Sequence, residues 1–144
     1  MHPKEIIAAF QKSGADITLD AGGVTVHNAS KVSELTIEFA RENKKRIINY
    51  LNGGYSDKKH AILSTNDQLI DFFLNKSVKN PDLIHSFLIN NPDCSQLIIK
   101  RMQRLKSNGW QYDECTSNYE DDETDRLAEE LFNRAMADRK KKGA

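Results

Sequence analysis

The sequence predicts an α+β fold, with an N-terminal helix–β-hairpin–helix unit followed by a mainly helical region. Two observations carry that prediction. Within residues 1–54 the apolar spacing switches from a period of 3.6 to a period of 2 and back again. Further on, Asn80-Pro81 and Asn91-Pro92 each stand just ahead of a helical apolar pattern, where proline suits a first turn.

The first helix follows Pro3, and Ile6, Ile7 and Phe10 recur on one side of it. Ser13-Gly14 supplies the stop, because glycine accepts the left-handed conformation after a helix. In Ala15 to Asp20 the spacing alternates, so Ile17 and Leu19 share one face and Asp16, Thr18 and Asp20 the other. Ala21-Gly22-Gly23 reads as the hairpin turn and Val24-Thr25-Val26-His27 as the return strand. Ser30 or Ser33 then caps a second helix, with Glu34 in its first turn. Val32, Leu35, Phe39, Asn43, Ile47 and Leu51 form one stripe of it, expected to be mostly intramolecular core, and Gly53-Gly54 ends it. Thr65 or Asn66 is the expected cap of a third helix carrying Leu69, Ile70, Phe72, Phe73 and Leu74. The two Asn-Pro helices follow, and Asn108-Gly109 closes the second of them. Thr124 is the expected cap of a last helix on which Leu127, Leu131 and Ala135 share a face with Ala128, Phe132 and Met136.

Charge divides the chain into four segments, 1–54, 55–110, 111–125 and 126–144. The third carries seven acidic side chains and no basic one, and no aliphatic residue larger than a threonine methyl. Such a segment buries too little apolar surface to offset its ordering entropy, so it is expected to be an exposed linker. The fourth reads as a helix with a basic tail, Arg139 to Lys142, placed either back on residues 65–106 or free as a partner-binding or dimer helix. Over all 144 residues, 21 basic and 21 acidic side chains cancel, which excludes a globally basic nucleic-acid coat and a globally acidic mimic. Hydrophobic residues make up 38%, low enough to expect a small core and some unpacked chain. No apolar run approaches the roughly 20 residues of a membrane span, and the start Met1-His2-Pro3-Lys4-Glu5 lacks a secretory signal's apolar stretch. Two cysteines, Cys94 and Cys115, are too few for a disulfide framework, so the expected compartment is the reducing cytoplasm.

The first unit resembles the N-terminal docking domains of the TubC type, found at subunit junctions of modular nonribosomal peptide and polyketide synthases. The likeness rests on Ile6-Ile7 with Phe10, the strand from Gly14 to Asp20, the Gly22-Gly23 turn, Val24-Thr25-Val26, and the run Arg41 to Leu51 with its basic residues followed by an aliphatic pair and a closing Leu. It covers residues ~3–54 only. The resemblance implies a small unit that often dimerises and captures a short segment of a partner protein on its hairpin. Open strand edges and side-chain pockets give a physical basis for such capture. Carried over by position, the partner-binding candidates are Ile17, Thr18, Leu19, Val24, Thr25, Val26 and His27, with Lys44, Lys45 and Arg46 facing an acidic partner tail. A unit of about 50 residues has little core of its own, so a homodimer or support from the middle helices is expected.

Catalysis finds no foothold in the sequence. His2, His27, His60 and His85 lie in no local motif with a cysteine, and no nucleophile elbow or phosphate-cradling glycine loop is present. The acids from Glu120 to Asp125 lack calcium-loop spacing, and no Cys-x-x-Cys pair marks a zinc site. No cofactor and no metal is expected. The competing reading is an accessory protein for nucleic acid. Lys100, Arg101, Arg104 and Lys106 form a cluster free of acids beside Trp110 and Tyr112, able to meet phosphates while an aromatic stacks on a base. The bland version of the same residues is the polar face of an amphipathic helix, with Trp110 closing a core after Gly109. The favoured expectation is a non-catalytic adaptor or inhibitor that binds another protein through its first unit, of the kind a phage, plasmid or other mobile genetic element carries.

Overall fold

The structure is a computed structural model and describes residues 1–21 and 23–143. Gly22 of the expected turn, Ala144, and the side chain of Lys142 in the expected basic tail lie outside the described residues. The chain divides into two compact units, Met1–His60 and Ala61–Ala144. The first boundary therefore falls six residues beyond the expected one, inside a helix, and segments 111–125 and 126–144 both belong to the second unit.

The first unit has the expected α+β order. Helix α1 (Pro3–Lys12) is capped by His2, whose Nδ1 accepts the Lys4 N–H at 3.1 Å. Strands β1 (Asp16–Asp20) and β2 (Gly23–His27) pair antiparallel, with Ile17 opposite Val26, Thr18 opposite Thr25 and Leu19 opposite Val24. Side chains of paired positions share a face, so the four aliphatic residues lie on one side and the two threonines on the other. Gly23 turns the chain at φ +110°, a conformation that would strain any side chain. The second helix is not continuous. It splits into α2 (Glu34–Glu42) and α3 (Lys44–Leu51) at Asn43, whose Nδ2 donates back to the Phe39 carbonyl at 2.9 Å. Ser33 caps α2 by accepting the Thr36 N–H. The core is Ile6, Ile7, Phe10, Ala15, Ile17, Val32 and Ile47. Leu35 and Phe39, expected in that core, are 70% and 39% exposed, and α2 buries no residue at all. The break at Asn43 explains the error, since a stripe drawn across it joins two helices.

The second unit takes up most of α4 (Asp57–Phe73), then α5 (Pro81–Asn90), α6 (Pro92–Ser107) and α7 (Asp122–Gly143). Helix α4 starts eight residues before the expected cap at Thr65, with Ser56 Oγ accepting the Lys59 N–H. Asn66, the other expected cap, is buried mid-helix and donates to the carbonyls of Ile62 and Ala128 at 2.8 and 2.9 Å. Gly109, at φ +107°, ends α6 and turns the chain into Trp110. The core gathers Leu69, Ile70, Phe87, Cys94, Ile98, Leu105, Trp110 and Leu131. Helix α7 thus packs back within its unit through Leu127, Ala128 and Leu131 and is not a detached arm. Among the described residues no helix is long and apolar enough to cross a membrane.

The acidic segment 111–125 is folded, against the expectation of an exposed linker. Thr116, Ser117, Glu120 and Thr124 are buried within it, and Thr116 Oγ1 donates to Asp67 Oδ1 at 3.1 Å. Asp121 and Thr124 cap α7 reciprocally: Thr124 N–H donates to Asp121 Oδ1 at 2.9 Å, and Asp121 N–H to Thr124 Oγ1 at 2.8 Å. The expected cap, Thr124, is therefore the third residue of the helix and works with Asp121. Charge–charge pairing supplies here what apolar burial lacks.

Candidate functional site

In the first unit the hairpin turns its aliphatic face toward α1 and α3 but does not bury all of it. Ile17 lies in the core at 2% exposure, so of the expected contact strand it is the member that faces inward. Val24 is half-buried, and Leu19 and Val26 are exposed. Beside them is a cleft of about 330 Å3. Phe10, Ile17 and Ile47 form its buried base, Val24 and Val26 one wall, and Ile37 and Ala40 of α2 another. Arg41 and Lys44 stand at its rim. On the opposite face Thr18 Oγ1 is hydrogen-bonded to His27 Nε2 at 2.9 Å, and Thr25 Oγ1 donates to Asp20 Oδ2. The sheet has only these two strands, so each keeps one edge without a strand neighbour among the described residues.

The three expected cations part company. Lys44 and Lys45 are exposed on the first turn of α3, whereas Arg46 is buried beside Ile47. A buried guanidinium is held by the unit's own interior and is not offered to an acidic tail. Arg41 carries the charge the rim needs instead, although Glu38 lies 3.6 Å from it on the same helix.

One cluster in this unit carries no sequence signal. His2 is buried, its Nε2 lies 3.1 Å from Asp57 Oδ1, and its ring centroid is 4.7 Å from that of His60. Tyr50 and Tyr55 meet His2 edge-on at 5.7 and 5.3 Å, and Tyr55 Oη bonds His60 Nδ1 at 3.0 Å. Burial, with the neighbouring His2, holds the His60 imidazole below its ordinary pKa. Hydrogen bonding from Lys4, helped by its charge and by His2, holds the Asp57 carboxyl below the usual range. These residues sit 48 to 58 positions from His2 in sequence, beyond the reach of periodicity or motif.

The expected basic cluster of the second unit is not one exposed face, because Arg101 and Trp110 are buried. Arg101 is fully buried, with Nε donating to the Thr124 carbonyl and Nη2 to Glu120 Oε2, both at 3.0 Å. Trp110 is 1% exposed, so no base can stack on it, and its Nε1 donates to the Glu114 carbonyl at 2.9 Å. Arg104 Nε donates to Asp121 Oδ2 at 2.8 Å. Lys106 Nζ sits 4.2 Å over the Tyr112 ring. Lys100 and Lys106 are exposed, and Lys100 is near enough to Glu123 for its charge to help lower that carboxyl's pKa. The acidic segment neutralises this face, which composition alone presented as basic. No three of the His, Cys, Asp and Glu side chains among the described residues gather as a metal site.

Comparison of the chain with family models, with curated proteins and with solved structures returns no match. The functional reading therefore rests on the geometry.

Proposed function

We propose that the protein is a non-catalytic interaction module that captures a segment of another protein on its first unit. The observation that carries this is the cleft of about 330 Å3 beside the hairpin, apolar within and bordered by Arg41 and Lys44. An apolar recess next to strand edges suits a short segment that places side chains in the recess and main-chain groups along an edge. The two rim cations select a segment with acidic residues. The resemblance to TubC-type docking domains points to the same use, and by analogy the role is that of an adaptor or inhibitor of the kind a mobile element carries. The proposed compartment is the reducing cytoplasm, since two cysteines are too few for a disulfide framework.

The test begins with recovery of a partner from the native cell and continues with its measured affinity for purified variants. Val24→Pro removes an N–H on the open edge of β2, and Val26→Asp puts a charge into the recess. Each is expected to weaken binding about tenfold or more, while Lys140→Ala leaves it unchanged. The opposite ranking, in variants whose circular dichroism matches the wild type, overturns the reading.

A further inference from the structure

The second unit holds a cleft of its own, of about 260 Å3, between α4, α5 and α7. Its apolar lining is Leu69, Leu83, Ile84, Phe87, Ala135 and Met136. Lys79, just before α5, and Arg139, late in α7, line it as well, and both are exposed. Neither charged group meets a carboxylate among the described residues. The one carboxylate of the lining, Asp138, is buried and accepts from Asn91 Nδ2 at 3.4 Å. The outward-facing charge of the cleft is therefore positive.

Size and charge together select an occupant. The volume is below the roughly 300–1,000 Å3 in which small molecules bury most of their surface. It matches instead an anchor pocket, where a protein partner inserts one bulky side chain and the surroundings exclude water. Two cations without internal partners favour an anchor flanked by carboxylates, since rim charges steer and select more than they bind. We propose that this cleft is a second docking site, one that takes a single aromatic or branched aliphatic side chain of a peptide whose neighbouring residues are Asp or Glu. It is independent of the hairpin site, and each can fail without the other.

The test uses the full chain labelled with 13C at its methionine methyls. Met136 lines the cleft, and Met1, on the first unit, is the reference. The probes are Ac-Glu-Glu-Phe-Glu-Glu-NH2, the same peptide with Lys for Glu, the same peptide with Ala for Phe, and octanoate. The acidic Phe peptide is expected to shift the Met136 signal saturably, with a Kd on the order of 1 mM or tighter, and to leave Met1 in place. The variant Lys79→Glu/Arg139→Glu, altered only at exposed side chains, should weaken it about tenfold. No shift at about 5 mM peptide, or an equal shift with the Lys or Ala peptide, overturns the proposal without reference to the variant. Octanoate binding more tightly than the peptide also overturns it, in favour of a small amphiphilic anion.

Discussion

Helix α2 and the acidic segment 111–125 behave oppositely to their compositions. The first carries Leu35, Ile37 and Phe39, and buries none of its nine residues. The second carries seven acids and no basic residue, and buries Thr116, Ser117, Glu120 and Thr124. The difference lies in partners. Segment 111–125 finds in α6 the guanidiniums its carboxylates lack, Arg101 for Glu120 and Arg104 for Asp121. Helix α2 has only one side toward the core, where Ile37 and Ala40 pack, and its Leu35 side meets nothing equivalent. Apolar content measures the need for burial, and the fold decides whether that need is met.

The strongest way to break this contrast is Arg101→Met. It leaves Glu120 buried without its cation, and removing one partner of a buried pair costs about 3–5 kcal/mol. The urea midpoint should fall accordingly, and Arg101→Met/Glu120→Leu should recover part of the loss. A change in midpoint within about 0.5 kcal/mol, the size of an ordinary surface substitution, would return the segment to the status of a linker.

Next in size is the cap of α7. Thr124→Ala removes the hydroxyl that accepts the Asp121 N–H, at an expected cost of about 1 kcal/mol. Asp121 adds a pH dependence. Burial alone would raise its pKa, but the Thr124 N–H, the Asn108 amide and the Arg104 guanidinium outweigh burial and hold it at about 2. A carboxyl lowered in the fold contributes stability that is complete above its unfolded value of 3.8 and lost as pH falls toward 2. Denaturation midpoints between pH 5 and pH 2 should show that loss, diminished in Asp121→Asn.

Much of the architecture was legible because it rests on local signals. Pro3, Pro81 and Pro92 mark the helix starts, Gly23 the hairpin, and Gly109 the end of α6. What stayed hidden involves residues far apart. Arg101 and Glu120 are 19 positions apart, and His2 and Asp57 are 55 apart. Neither pair has a period or a motif, and a basic run looks the same whether its charges face water or a carboxylate. The hairpin residues of the proposed docking site were legible as alternation, but the sorting of Lys44 and Lys45 from buried Arg46 was not, because helix phase shifts at Asn43. Local breaks of this kind depend on one side chain's choice of carbonyl.

A smaller effect belongs to the first unit. Protonating His60 is disfavoured in the fold by burial and by His2, with the N-terminal amine and Arg46 acting in the same direction and Glu5 against it. The unfolded chain therefore binds the proton more readily, and stability declines as pH falls below about 6.5. Amide exchange in α1 and β1 should quicken between pH 7 and 5 beyond its intrinsic pH dependence, and His60→Gln should flatten that change. Exchange in α6 and α7 is the internal control.

The mildest variant tests the other half of the contrast. Leu35 is 70% exposed, so Leu35→Ser removes little apolar contact in a single chain and should shift the midpoint by less than about 0.5 kcal/mol. The same substitution reads out a second copy of the chain. If α2 is covered in a homodimer, the wild-type midpoint rises with protein concentration, as linkage to association requires, and Leu35→Ser removes that rise while leaving the dilute-limit stability in place. A flat concentration dependence in both proteins instead leaves α2 as an open apolar helix in the free state, available beside the hairpin cleft to whatever segment enters it.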